Sequence, residues 1–78
     1  MRVIPEITVL MSMKLQGRKI LVACQGYKIE GILLAVDSHM NLLLDDAVII
    51  YDDRQEKHGK LIVRGSEIKY ISFDELIA

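Results

Sequence analysis

The stretch Gly31-Ile-Leu-Leu-Ala-Val-Asp-Ser-His-Met-Asn-Leu-Leu-Leu-Asp-Asp46 decides how the rest of the chain is read. Two apolar runs, Gly31–Val36 and Leu42–Leu44, flank a polar turn, Asp37-Ser-His-Met-Asn41. Short runs rich in Leu, Ile and Val, bounded by polar residues, predict strands of a small all-β core. The turn itself is not built for easy folding. A two-residue hairpin favours Asn-Gly or Asp-Gly, whereas this turn displays a carboxylate, an imidazole and an amide within five residues. Those three groups can form a hydrogen-bonding pocket, which makes the turn the first candidate functional element.

Further strands extend on both sides. Lys19–Cys24 places Ile20, Val22 and Cys24 on one side, and Gln25-Gly26 turns the chain into Tyr27–Val36. Gly31, inside that strand, predicts a sharp bend or a close backbone approach. A third strand is expected over Met40–Tyr51; its far half, Ala47–Tyr51, has no polar face, so both its sides should be covered. Asp52–His58 reads as a charged, solvated hairpin tip, Lys60–Val63 as a returning strand, Arg64-Gly65-Ser66 as a tight turn, and Ile68–Phe73 as the last strand. Toward the N-terminus the pattern is ambiguous. Pro5, Glu6 and Gly17 suit the start, first turn and stop of a helix, yet Ile7, Val9, Met11, Met13 and Leu15 alternate with strand period.

Seventy-eight residues make one domain, and a chain of this size buries only about 60% of its extended surface. Yet 51% of the residues are apolar and the mean hydropathy is +0.27. That is more apolar material than one small barrel hides, so burial against other chains is expected. A net charge of −1 argues against a general duplex-DNA binder and confines any nucleic-acid contact to a local site. The single cysteine, Cys24, forms no internal disulfide and reads as a small buried hydrophobe of a reducing compartment. No apolar run approaches the ~18 residues of a membrane span. A cytoplasmic protein without a membrane partner is expected.

A second element sits downstream, where Arg64-Gly65 puts a planar cation beside a residue that permits close backbone approach. Together, Gly31-x-Leu33-x-x-x-Asp37-x-His39-Met40-Asn41-x-x-Leu44-Asp45-Asp46-Ala47 and Gly59-x-x-x-x-Arg64-Gly65 resemble the two motifs of the Sm and Sm-like (LSm) proteins, the archaeal type most of all. The resemblance covers residues 17–73. It implies a single Sm-like domain over residues 1–78, with a helix at 5–16, a first motif region at 18–46 and a second at 57–73. The implied fold is mainly β: an N-terminal helix followed by a five-stranded, strongly bent antiparallel open barrel. Such subunits join the fourth strand of one to the fifth strand of the next in a closed ring, for which seven subunits are favoured over six or eight. Ring closure removes sheet edges that would otherwise invite aggregation.

The function implied by the resemblance is non-catalytic binding of short U-rich single-stranded RNA, one base per subunit, in RNA processing or assembly of ribonucleoproteins, with RNA-processing proteins as further partners. By position, His39 and Arg64 would sandwich a uracil and Asn41 would read its edge, with a backbone N–H from Gly65. Met40 and Ser66 border that implied site; Ser66 stands where archaeal-type members often carry Asp. Uracil offers an N3–H donor beside an O4 acceptor, and one amide satisfies both. A flipped amide matches cytosine, so the orientation must be held, and Asp37 is placed to accept the second amide N–H. The competing function is a ring-shaped protein-interaction scaffold that uses Ala47–Tyr51.

Plainer readings stand beside these. Arg64 could pair with Asp37 or Asp74 on the surface, Asp45-Asp46 could serve the backbone, and Leu33, Met40 and Leu44 could be core. Tyr27, Tyr51, Tyr70 and Phe73 are scattered along the chain, which assigns them to packing or subunit contacts rather than to a stacking platform. Cys24, His39 and His58 lack the surroundings of a nucleophilic set, and Asp52, Asp53 and His58 match no metal-ligand spacing. No enzyme activity, cofactor or metal is expected.

Overall fold

Alternation of burial along one strand organises the molecule, whose computed structural model describes residues 14–73. Strand β2, Tyr27–Val36, buries Ile29, Gly31 and Leu33 and leaves Glu30 and Ile32 between them partly exposed. It pairs antiparallel with β1, Lys19–Cys24, on one side and with β3, Leu42–Ile50, on the other. Strand β6, Ile68–Phe73, adds to the free side of β1. On the far side β3 carries two short partners, β5 (Leu61–Val63) along its first half and β4 (Gln55–Lys57) along its second. The sheet order is therefore β4-β3-β2-β1-β6, with β5 also on β3. The core is Leu15, Ile20, Val22, Cys24, Ile29, Leu33, Leu42, Leu44, Ala47 and Val63.

The sheet folds over itself at one transverse line. Between the pairs Ile32↔Asp45 and Glu30↔Val48, β3 advances one residue more than β2, which is a bulge opposite Gly31. Asp46 takes the extra residue at φ 50, and its N–H donates to its neighbour's carboxylate, Asp45 Oδ1, at 2.9 Å. The bulge changes which residues face inward, from Leu42 and Leu44 before it to Ala47 after it. Gly31 is needed on the inside of the fold: a Cβ there would lie 3.1 Å from both the Asp45 carbonyl and the Leu44 Cβ. Across the same line the Ala47 N–H donates to the Gly59 carbonyl at 3.1 Å and the His58 N–H to the Ala47 carbonyl at 2.7 Å. The bend expected at Gly31 thus has partners in all three strands.

Several expectations are corrected. Among the described residues there are six strand segments rather than five, because Gln55–Lys57 inside the presumed charged tip pairs with Val48–Ile50. Segments β4 and β5 act as one strand broken at His58–Lys60, where β3 bends. Met40 is no core residue: it lies half-buried in the turn at φ 61. Ala47 is fully enclosed, but Val48, Ile49 and Ile50 are only half-buried within one chain. The N-terminal helix expected at 5–16 lies outside the described residues except for its end, where Lys14 and Leu15 are helical and Leu15 enters the core. Among the described residues two strand edges remain, β4/β5 and β6. They carry the large apolar side chains most open to solvent, Ile62 at 69% on β5 and Tyr70 at 56% and Phe73 at 47% on β6.

Candidate functional site

Asp37 follows the end of β2 and folds its turn around its own carboxylate. Oδ1 accepts the His39 N–H at 2.8 Å and the Asn41 N–H at 2.9 Å. The backbone closes the same loop, with Met40 N–H donating to the Asp37 carbonyl at 3.0 Å and Asp37 N–H to the Asn41 carbonyl at 3.1 Å. An Asp at the head of a turn can bond backbone N–H groups beyond it, and here it holds Met40 in the left-handed region that a non-glycine residue seldom adopts. The carboxylate is what this turn has in place of an Asn-Gly pair.

The second carboxylate oxygen reaches the amide. Asn41 Nδ2 donates to Asp37 Oδ2 at 2.9 Å, and Asn41 Oδ1 accepts the Gly65 N–H at 2.7 Å. The two bonds fix which end of the amide is which. Flipping it would set an NH2 group against a backbone N–H and a carbonyl oxygen against a carboxylate. The Asn41 side-chain amide first, then the Asn41 and His39 backbone N–H groups, hold the Asp37 carboxyl below the usual carboxylate range. It is an anion with its lone pairs directed at donors.

Gly65 joins the second turn to the first at van der Waals limits. A Cβ on Gly65 would lie 2.1 Å from the His39 carbonyl oxygen and 2.9 Å from the Met40 carbonyl carbon. No side chain fits. The residues Arg64-Gly65-Ser66, expected as a tight turn, enter a single 3-10 turn at Gly65–Glu67 that links β5 to β6, and the Glu67 N–H donates to the Arg64 carbonyl at 3.0 Å. The structure therefore brings His39, Met40, Asn41, Asp37 and Gly65 into one contact group, with Arg64 next to Gly65 and exposed alongside exposed His39 and Ser66. Among the described residues Arg64 forms no ion pair, and the alternative partner Asp74 lies outside them.

One assignment changes. The Gly65 N–H, expected to face a ligand, is taken up by Asn41. After both intramolecular bonds the Asn41 amide keeps one N–H and one lone pair of Oδ1. A donor and an acceptor on one amide complement a partner presenting an acceptor beside a donor.

The other polar groups lie elsewhere. Cys24 pairs with Tyr27 at the start of β2, whereas His39 follows its end, so the two do not form a thiol–imidazole set. Burial pushes the Cys24 thiol up. Burial, followed by its bond to Glu67, pushes the Tyr27 hydroxyl up to about 12. Among the described residues no three His, Cys, Asp or Glu side chains converge as a metal site, and no helix is long and apolar enough to cross a membrane. Tyr27, Tyr51 and Tyr70, read from the sequence as scattered, line one cleft. The signal for this lay in strand register, which the linear sequence does not display.

The chain is similar to known proteins over most of its described length. An snRNP Sm-like protein of Pyrococcus horikoshii is 35% identical over 49 residues, 62% of this chain and 65% of the relative, so the chain spans just under two thirds of that relative's length. The crystal structure of a heptameric archaeal Sm protein is 35% identical and superposes with a TM-score of 0.74, covering 86% of this chain and 98% of the other. The Pyrococcus abyssi Sm protein in complex with a uridine heptamer is 28% identical, with a TM-score of 0.76 over 83% of this chain and 94% of that one. Residues 10–73 match the LSM domain family, and with the two motif turns joined through Asn41 and Gly65, the chain belongs to that family as an Sm-like protein of archaeal type.

Proposed function

We propose that this chain forms a ring of identical subunits that captures short U-rich single-stranded RNA, one base per subunit, without catalysis. The observation that carries the reading is the locked Asn41 amide: Asp37 takes one of its N–H groups and Gly65 occupies one lone pair of its oxygen. The remaining N–H would donate to uracil O4 and the remaining lone pair would accept uracil N3–H. Cytosine presents the opposite pattern and would require the flipped amide, breaking both intramolecular bonds. His39 and Arg64, exposed on the two joined turns, would stack on the faces of the base. Met40 and Ser66 would border it.

Self-association is favoured by the two strand edges and by Ile62, Tyr70 and Phe73 exposed on them. Pairing of β5 of one subunit with β6 of the next would cover these side chains and the unpaired backbone together. Seven subunits is the number favoured, by likeness to the heptameric archaeal Sm protein. A single domain over residues 1–78 that includes a helix at 5–16 and motif regions at 18–46 and 57–73, and a role in RNA processing, complete the proposal. Each pocket would hold its base weakly, and repetition around the ring would supply avidity.

The test is the double substitution His39→Ala and Arg64→Ala in protein whose assembly is checked by native mass spectrometry. The proposal expects an intact assembly with at least tenfold weaker binding of oligo-U (about 1.4 kcal/mol). Unchanged oligo-U binding would reject the pocket. A wild-type ring that binds no RNA would favour the protein-interaction scaffold.

A further inference from the structure

The turn that follows Arg64 is held by hydrogen bonds rather than by packing. None of the residues of the 3-10 turn Gly65–Glu67 is buried, and no side chain caps its start. Its first residue is tied to the turn past the end of β2, where the Gly65 N–H donates to Asn41 Oδ1 at 2.7 Å. Its last residue is tied to the start of β2, where the Tyr27 hydroxyl donates to Glu67 Oε1 at 3.1 Å. Strand register explains the second tie. Ile68 pairs with Cys24 and Cys24 with Tyr27, which sets the three in one row across β6, β1 and β2. Glu67 directly precedes Ile68, and its carboxylate meets the Tyr27 hydroxyl across β1.

Tyr27 is a firm anchor. It packs partly buried against the core, and its ring lies 6.1 Å from that of Tyr51, tilted at 40°, within the range of an attractive aromatic pair. The Arg54 guanidinium covers the Tyr51 ring in turn, at 4.1 Å from its centroid. Burial, followed by the bond to Glu67, pushes the Tyr27 hydroxyl up to about 12, so it stays protonated and keeps donating. The carboxylate that it takes up stands beside Arg64. The Glu67 N–H donates to the Arg64 carbonyl at 3.0 Å, which closes a turn of the kind whose end Cα atoms lie within about 7 Å. An arginine and a glutamate that close are within reach of a direct charge pair. Yet among the described residues Arg64 forms no ion pair, and the Glu67 carboxylate is turned to Tyr27 instead.

We propose that Tyr27 is a positioning residue of the uracil pocket: its hydroxyl holds the Glu67 carboxylate away from Arg64 and so leaves the guanidinium free to stack on the base. This role rests on the proposed function of the pocket. The bond lies within one subunit, so it needs no open surface in the ring. Without the hydroxyl, Glu67 would turn to its neighbour in the turn and compete with the base for the guanidinium. An exposed pair of this kind is weak and would shift a single site about two- to threefold. An oligomer held by several subunits at once would compound the loss. The Asn41 amide is fixed by Asp37 and Gly65, not by Glu67, so discrimination of uracil from cytosine should be untouched.

The experiment compares wild type, Tyr27→Phe, Glu67→Gln and the double variant, with Arg64→Ala as the reference. Assembly of each is checked by native mass spectrometry, and each is titrated with labelled oligo-U and oligo-C long enough to span several subunits. Tyr27→Phe keeps the ring and removes only the hydroxyl, and it should weaken both oligomers by the same factor, about fivefold or more. Glu67→Gln removes the competing charge. Alone it should bind as wild type does, and added to Tyr27→Phe it should restore oligo-U affinity to within about twofold. Restoration by a second change separates this role from a merely structural one, in which the two losses would add. A Tyr27→Phe protein that binds as wild type does, that fails to assemble, or whose loss Glu67→Gln does not restore would overturn the role of Tyr27. The pocket would still stand, provided Arg64→Ala weakens oligo-U. An Arg64→Ala protein that binds oligo-U as tightly as wild type would reject the pocket itself, and the role of Tyr27 with it.

Discussion

Substituting Gly65 by Ala adds a single methyl group at the contact that joins the two turns. The new Cβ would stand 2.1 Å from the His39 carbonyl oxygen and 2.9 Å from the Met40 carbonyl carbon, both backbone atoms without a rotamer to escape into. An unstrained approach of such atoms is roughly 3.5 Å, so the turns must part by more than about 1 Å. The Gly65 N–H bond to Asn41 Oδ1, now 2.7 Å, would be stretched beyond the limit of a hydrogen bond. Its loss costs about 1 kcal/mol, and the enforced shift adds about 1–3 kcal/mol. A domain stabilised by about 5–15 kcal/mol remains folded, so the variant is expected to assemble with a lower melting temperature. The informative effect is on selectivity. With one of its two anchors gone, the Asn41 amide can present either edge, and the ratio of oligo-U to oligo-C affinity should fall about fivefold or more. Fluorescence anisotropy with the two oligomers reads that ratio directly, alongside thermal melting. A Gly65→Ala protein that keeps the wild-type ratio would refute the claim that Gly65 orients the amide.

Gly31→Ala brings a Cβ within 3.1 Å of the Asp45 carbonyl and the Leu44 Cβ, and is expected to cost about 1–3 kcal/mol in thermal melts without altering the U-to-C ratio. A variant as stable as wild type would show that the bulge is not held tightly there. The depressed Asp37 pKa sets the sign of a pH effect: its stabilisation is complete above the unfolded-chain value of about 3.9 and is lost as pH falls through the lower folded value. Uracil selectivity should therefore hold from neutrality to about pH 4, and Asp37→Asn should lack it at every pH. Selectivity that fades already between about pH 6 and 5 would assign the orienting role to another group. Ile62→Lys places a charge on the exposed β5 edge and should shift native mass spectra from ring toward single subunits. An unchanged ring would move the subunit contact away from that edge.

Much of this fold is legible as period-two alternation. Ile29, Gly31 and Leu33 keep it along the middle of β2, as do Leu42 and Leu44 at the start of β3, and these strands lie where the pattern sets them. Strand β4 escapes such reading because Gln55-Glu56-Lys57 has no apolar residue; its place is decided by the partner strand, which turns over at the Asp46 bulge. The Asp37-to-Asn41 turn is legible in the sequence because a carboxylate four residues before an amide is a local arrangement. The role of Gly65 toward Asn41 is not, since the two are 24 residues apart and meet only through the pairing of β5 with β3. Residues Tyr27, Tyr51 and Tyr70 pose the same difficulty. Their common cleft follows from the register of four strands, which no local pattern encodes.

The central claim is that an oriented Asn41 amide in an assembled ring selects uracil, and one titration tests it. Protein of established subunit number is titrated with labelled oligo-U and oligo-C of the same length by fluorescence anisotropy. The account predicts that oligo-U binds at least tenfold more tightly, about 1.4 kcal/mol. Equal affinity for the two oligomers would contradict it, because an amide held between Asp37 and Gly65 cannot serve both bases alike.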